Sequence, residues 1–222
     1  MRPRCRVVVL VSGNGRNLQA LIDACSRQQI RADLVGVISN RADAPALARA
    51  AQAGIACFAM EHQNFSDREA FDRALLETIQ KLNPDIVVLA GFMRILGKAF
   101  VAALSGKMIN IHPSLLPRHR GLHTHRRALE DGDTEHGATV HLVSEDLDGG
   151  PLIIQGRVSV SEEDDATSLA ERVMTEVELK ILPQALAWIA TGELQLGHKA
   201  IEFRGQKLTK ALQLEDLTET FQ

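Results

Sequence analysis

Short β-branched apolar runs separated by helical patterns recur from residue 6 to residue 112, and this alternation limits the chain to few folds. RVVVLV (6–11), LVGVIS (34–39), the weaker IACFAM (55–60), IVVLAGF (86–92) and KMINIH (107–112) read as buried strands. Between them, NLQALIDAC (17–25) spaces Leu18, Leu21, Ile22 and Cys25 as one face of a helix, and the Ala-rich APALARAAQAG (44–54) predicts another. In FSDREAFDRALLETIQKLNPD (65–85), Ser66 and Glu69 have capping-box spacing, and Asn83-Pro84 ends the helix. Repeated strand–helix units of this kind predict an α/β fold, a mostly parallel twisted sheet flanked by helices and joined by right-handed crossovers.

After residue 112 the rhythm changes. HPSLLPRHRGLHTHR is a long loop entering a short helix, and ATVHLV and PLIIQGRVSV are strands separated by SEDLDGG. A helical stretch runs from about Asp165 to Gly192 with a kink expected at Pro183, and the tail from Glu193 predicts a peripheral hairpin. With no repeats, low-complexity stretches or linker, 222 residues are expected to form a single domain of Rossmann-like character. Its parts are a phosphate- and nucleotide-binding half (1–111), a catalytic half (112–192) and a tail (193–222).

A net charge of -3 argues against a nucleic-acid-binding surface. Three widely spaced cysteines give neither a disulfide framework nor metal-ligand spacing, which fits reduced thiols and a cytoplasmic protein. The basic, then apolar N-terminus reads as a first strand rather than a signal peptide, because the apolar run is short and leads straight into a glycine loop. No stretch has the length of a membrane span.

That loop, Gly13-Asn14-Gly15-Arg16-Asn17, lies between the first strand and the first helix. Backbone amides at a helix start, approached closely through glycine, make an anion site; a tight turn without ligand is the alternative. A dinucleotide fingerprint fails, because Leu18 stands where the third glycine belongs and Ser39-Asn40-Arg41 supplies no acid after the second strand. A Walker loop fails for want of Gly-Lys-Ser/Thr. Arg16 and Arg68 both stand at helix starts, where the dipole disfavours a cation, so an anion would compensate them.

Strand alternation puts Asn110 and His112 on the same side at a strand's C-terminal end, where open α/β sheets place ligands. An amide beside an imidazole can stabilise an oxyanion and handle a proton, or simply cap a strand end. Asp148, in DLDGGP, can orient an imidazole or serve as an ordinary turn residue. His119, His123, His125, His136 and His141 raise a metal hypothesis, but His123-Thr-His125 has no Glu or Cys at zinc-like spacing, so no metal is expected.

SGNGRN, LAGFMRIL, NIHPSLLPRHRGLHTHRRAL, HGATVHLV and DLDGGP, taken together and in order, closely resemble the phosphoribosylglycinamide formyltransferase family, folate-dependent enzymes of purine synthesis. The resemblance runs from about Val7 to Gly192. It implies transfer of the formyl group of 10-formyltetrahydrofolate, a co-substrate rather than a tightly bound cofactor, to the amine of glycinamide ribonucleotide. It implies Asn110, His112 and Asp148 as the catalytic set. Ribonucleotide contacts would come from Gly15, Arg16, Asn17, Arg68, Pro113 and Glu178. Formyl-folate would lie against Phe92, Met93, Arg94, Ile95 and Leu96, whose default reading as residues is core packing, and against Ser144, Glu145, Asp146 and Leu147.

The chain departs from the family at three places. Arg16 replaces a usual serine, exchanging a hydroxyl contact for a charge pair. His119-Arg120 replaces an aromatic and a proline, which implies a more mobile loop. Leu179 follows Glu178 where a histidine is usual, and the spacing from Arg172 is one residue longer. The partners expected are small molecules, with no nucleic acid and no membrane, on a monomer or homodimer. The alternatives are a 10-formyltetrahydrofolate deformylase, which in its family usually carries an extra N-terminal regulatory domain, and a noncatalytic folate- or nucleotide-binding module. Methionyl-tRNA formyltransferase would need a further C-terminal domain and a basic RNA surface.

Overall fold

A computed structural model describes residues 3–198 and 200–222. The strands form a seven-stranded sheet in the order β3-β2-β1-β4-β5-β6-β7 and a three-stranded sheet in the order β10-β9-β8; their ranges follow. The chain divides into two compact units, one ending at Asn110 and the other beginning at Ile111.

In the first unit, β1 (Cys5–Val11) pairs in parallel with both β2 (Ala32–Ser39) and β4 (Ile86–Leu89). β3 (Cys57–Ala59) and β5 (Met108–His112) extend the parallel set, the latter pairing Leu89 with Asn110. Val7 to Val11 are completely buried, as a strand covered on both faces requires. The strand order reverses after β1, so the loops following β1 and β4 leave the sheet at its switch point, where ligands bind in folds of this kind.

The helices of this unit are α1 (Arg16–Ser26), α2 (Pro45–Gln52), α3 (Arg68–Leu82) and α4 (Lys98–Ala103). Leu18, Leu21 and Ile22 bury the expected face of α1. Pro45 at the first position of α2 suits its fixed φ. The cap of α3 is Asp67 rather than Ser66: the Asp67 carboxylate accepts the Ala70 N–H at 2.7 Å, while the Ser66 hydroxyl donates to Asp67. A carboxylate is favoured there because it faces the positive end of the helix dipole. Asn83, with φ 46°, closes α3 ahead of Pro84.

The second unit holds α5 (Thr124–Glu130) and the antiparallel pair β6 (Glu135–Leu142) and β7 (Leu152–Ser159). The long helical stretch is not simply kinked at Pro183. α6 (Ala166–Arg172), capped by Asp165, passes into a π-helical turn (Val173–Glu178) and then α7 (Leu179–Thr191), which continues through Pro183 to Gly192. The wide turn ends at Glu178, and Leu179, four residues before Pro183, opens α7. Gly156 of β7 admits this turn, since a Cβ there would stand 2.5 Å from Val177 Cγ1.

The tail is more than a hairpin. β8 (Leu194–Leu196), β9 (Ile201–Phe203) and β10 (Gln206–Lys207) form an antiparallel sheet, with Phe203 edge-on to Trp188 of α7. Leu212 then pairs with β7, accepting from Gln155 N–H at 2.8 Å and donating to the Ile153 carbonyl at 2.9 Å.

Candidate active site

The glycine loop follows β1 in the first unit. Gly15 has φ 78°, and a Cβ on it would lie 2.6 Å from the Ala46 Cβ, so only glycine serves. Arg49 of α2 grips the loop from outside: its Nε donates to the Asn14 carbonyl and its Nη2 to Asn14 Oδ1, both at 2.8 Å. No side chain caps α1 and its first turn carries no acid, so its N-terminal amides are suited to an anion. Arg16 stands first in that helix, beside Asn17.

Arg68 also opens a helix, and it has acidic neighbours within the protein. Asp67 precedes it, Glu69 follows, and Asp72 Oδ2 lies 3.8 Å from Arg68 Nε. The same Asp72 oxygen accepts the Gly97 N–H at 2.8 Å. A cavity of about 680 Å³ opens here, lined among others by Arg68, Asp72, Arg73, Gly97, Lys98 and Phe100. Arg73 and Lys98 carried no signal as candidates in the sequence, because isolated basic residues are ordinary on helix surfaces.

The segment after β4 is tied to the glycine loop by Ser12, whose hydroxyl accepts the Met93 N–H at 2.7 Å and donates to Asn40 Oδ1 at 2.5 Å. Phe92 is buried, in keeping with the default reading, but Met93 is 68% and Ile95 61% exposed. Arg94 lies with its guanidinium 4.9 Å from the centre of the Phe71 ring, and Leu96 is half-buried. Adjacent exposed large apolar side chains at a switch point suit an aromatic ligand better than a core.

Asn110 and His112 stand two residues apart on β5, Asn110 half-buried and His112 buried. In the second unit His112 meets Asp148: Nδ1 lies 3.4 Å from Asp148 Oδ2. His112 Nε2 is 3.0 Å from the His119 carbonyl, which only accepts, so Nε2 carries the hydrogen. Any proton on Nδ1 is therefore directed at the Asp148 carboxylate. Asp148 has φ 48°, in the sharp turn its glycine neighbours predicted; a Cβ on Gly150 would lie only 1.8 Å from the Leu142 carbonyl oxygen. Asp148 also accepts the Gly121 N–H at 2.9 Å and faces His141 Nε2 at 3.7 Å.

The sequence offered His141 only as a metal candidate, not as a partner of Asp148; the signal available was an imidazole inside a continuously buried strand. Burial pushes it down to about 4, against the opposing pull of its bond to the Leu142 carbonyl and of Asp148. It is neutral at physiological pH, with Nδ1–H donated to Leu142.

The loop from Pro113 to Gly121 is stitched down. Thr139 Oγ1 donates to the Ser114 carbonyl at 2.6 Å, Gln155 Nε2 to the Leu116 carbonyl at 2.8 Å, and Ser114 Oγ to the Arg118 carbonyl at 2.7 Å. His119 is buried and its Nε2 lies 2.6 Å from Asp133 Oδ2. These bonds hold the loop that carries His119-Arg120 against β6 and β7. Pro113 is half-buried, and Glu178 is buried at the end of the π turn. Ser144 donates to the Asp146 carbonyl at 3.2 Å, Glu145 and Asp146 are exposed, and Leu147 is 52% exposed.

His136 Nε2 lies 3.1 Å from His125 Nδ1, and burial pushes His136 down to about 4. Among the described residues no group of three or more His, Cys, Asp or Glu could hold a metal ion, and no helix is long and apolar enough to cross a membrane.

Residues 5–186 match the family described as formyl transferase. The chain is 51% identical over 202 residues to the phosphoribosylglycinamide formyltransferase of Escherichia coli strain K12, covering 91% of this chain and 95% of that one. It is 46% identical over 196 residues to the human trifunctional purine biosynthetic protein adenosine-3, covering 88% of this chain and 19% of that much longer protein. A solved phosphoribosylglycinamide formyltransferase from Coxiella burnetii, 47% identical, superimposes with a TM-score of 0.89 over 94% of this chain and 99% of its own. The chain belongs to the formyl transferase family, with phosphoribosylglycinamide formyltransferases as its relatives along nearly its whole length.

Proposed function

We propose that this chain transfers the formyl group of 10-formyltetrahydrofolate to the glycinamide amine of phosphoribosylglycinamide, in purine biosynthesis. The observation that carries the reading is the His112–Asp148 pair, buried at the end of β5 with the imidazole hydrogen fixed on Nε2. The amine lone pair attacks the formyl carbon, a C–N bond forms and the carbonyl oxygen becomes an oxyanion. Asn110 and His112 stabilise that oxygen, Asn110 as hydrogen-bond donor and His112 through the polarity of its imidazole, whose Nε2–H is held by the His119 carbonyl. Asp148 holds the proton-bearing imidazole and takes part in moving the proton lost by the amine. Collapse breaks the bond to N10 of the folate, whose nitrogen leaves with the electron pair and gains a proton. Such acyl transfer rests on proximity and preorganised donors, and needs neither a covalent enzyme intermediate nor a metal.

Gly15, Arg16 and Asn17 take the phosphate at the start of α1, with Arg68, Pro113 and Glu178 as further ribonucleotide contacts. Phe92, Met93, Arg94, Ile95 and Leu96, with Ser144, Glu145, Asp146 and Leu147, take the folate. The exposure of Met93 and Ile95 supports an apolar ligand against the segment after β4.

The test is to follow 10-formyltetrahydrofolate consumption by purified protein with and without the ribonucleotide. Consumption that depends on the ribonucleotide, with stoichiometric formylated product, is expected. Equal consumption without it identifies a hydrolase instead.

A further inference from the structure

Two backbone groups in the loop ahead of α5 hold the reacting side chains: the His119 carbonyl accepts from His112 Nε2 at 3.0 Å, and the Gly121 N–H donates to Asp148 Oδ2 at 2.9 Å. Both residues have left-handed backbone, φ 50° at His119 and 82° at Gly121, which glycine adopts freely and histidine does not. Something must therefore hold His119 in place. Its side chain is 6% exposed and its Nε2 lies 2.6 Å from Asp133 Oδ2. The other oxygen of Asp133 takes Arg118 Nη1 at 3.0 Å, so one carboxylate grips two consecutive residues of the loop. Asp131, on the other side of the imidazole, is 66% exposed and 3.7 Å from Nδ1, a weaker neighbour. The His136 ring lies edge-on at 6.0 Å.

We infer that Asp133 is a positioning residue for His112 and Asp148, acting through the imidazole of His119. The inference rests on the reading of His112 and Asp148 as the reacting pair. Asp133 touches neither of them. Its carboxylate fixes the His119 ring, the ring fixes the loop backbone, and the backbone presents one acceptor to His112 and one donor to Asp148. An imidazole displaced by a fraction of an ångström loses its alignment with an oxyanion while substrate contacts elsewhere are unaffected.

The experiment is steady-state kinetics of formyl transfer by the full chain carrying Asp133→Ala, His119→Phe, both together, or Asp133→Asn. Asp133→Ala and His119→Phe are each expected to lower kcat about 10- to 100-fold with KM for both substrates nearly unchanged. The double variant should lose no more than either single one, because the two residues act in series. Asp133→Asn, which keeps an acceptor oxygen for His119, should recover part of the loss. Unchanged kcat, a proportional rise in KM alone, or losses that multiply in the double variant would overturn the inference. A second measurement needs no turnover: in protein labelled with ¹⁵N-histidine, the Nε2–H signal of His112 should shift or broaden in Asp133→Asn, and an unaltered signal overturns the clamp. A wild-type chain that forms no formylated ribonucleotide refutes the function, while the His112 signal still decides the clamp.

Discussion

In the first unit the ligand-facing candidates are backbone amides at an uncapped helix start and large apolar side chains left in the open, Met93 and Ile95. In the second, His112, His119 and His141 are buried, each with a ring nitrogen hydrogen-bonded to a carbonyl or carboxylate oxygen. The first arrangement suits binding, where surface must be exposed until a ligand covers it. The second suits chemistry, where a donor must already point correctly and water must be kept out. Substitutions in the two regions should accordingly act on different kinetic constants.

The sharpest break would come from His112→Ala and Asp148→Asn. Each should lower kcat about 10²- to 10⁴-fold while circular dichroism stays that of the folded chain. Near-normal turnover in both would remove the division between the regions. The buried histidines also predict acid sensitivity located in the second unit. Unfolded, His136 and His141 take protons near pH 6.5; folded, only near 4. As pH falls from about 6.5 to 4 the unfolded state binds more protons, so stability declines through that window and levels off below it. Urea midpoints measured across this range should fall, and His136→Asn should flatten the decline.

Met93→Ser and Ile95→Ser should raise the folate KM about 10-fold or more, given about 1.5–3 kcal/mol for fully burying such a side chain. The urea midpoint should scarcely move, since exposed side chains contribute little to folding. A large stability loss would make these residues core after all. The smallest effect is expected for Arg16→Ser: a helix-start charge is worth about 0.3–1 kcal/mol, so ribonucleotide KM should rise about two- to five-fold and depend less on salt. A KM that is unchanged at every salt concentration would leave Arg16 no part in phosphate binding.

Much of this was legible in the chain. The strand–helix alternation foretold the parallel strands, because each buried run is bounded by a helix start with its own chemistry. Asn110 and His112 followed from the two-residue period of a strand, and the turn at Asp148 from its glycines. Other features lay beyond local pattern. Ser66 and Asp67 both satisfy the rules for a cap, and only coordinates choose between neighbours. Val177 of the π turn packs against Gly156, 21 positions away, and Asp133 reaches His119 across 14 positions. Arg68 illustrates the same limit: Asp72, one turn further on at 3.8 Å, is a neighbour that the helix-start reading did not include.

The pairing of Leu212 with Ile153 and Gln155 has a consequence for how this protein would fail. β7 lies at one end of the large sheet, and the strap along it occupies amides and carbonyls that would otherwise offer a template to another chain. Damage to that strap would leave His112 and Asp148 in place. The deficit would first appear as insolubility on storage, in a population whose surviving molecules still turn over normally.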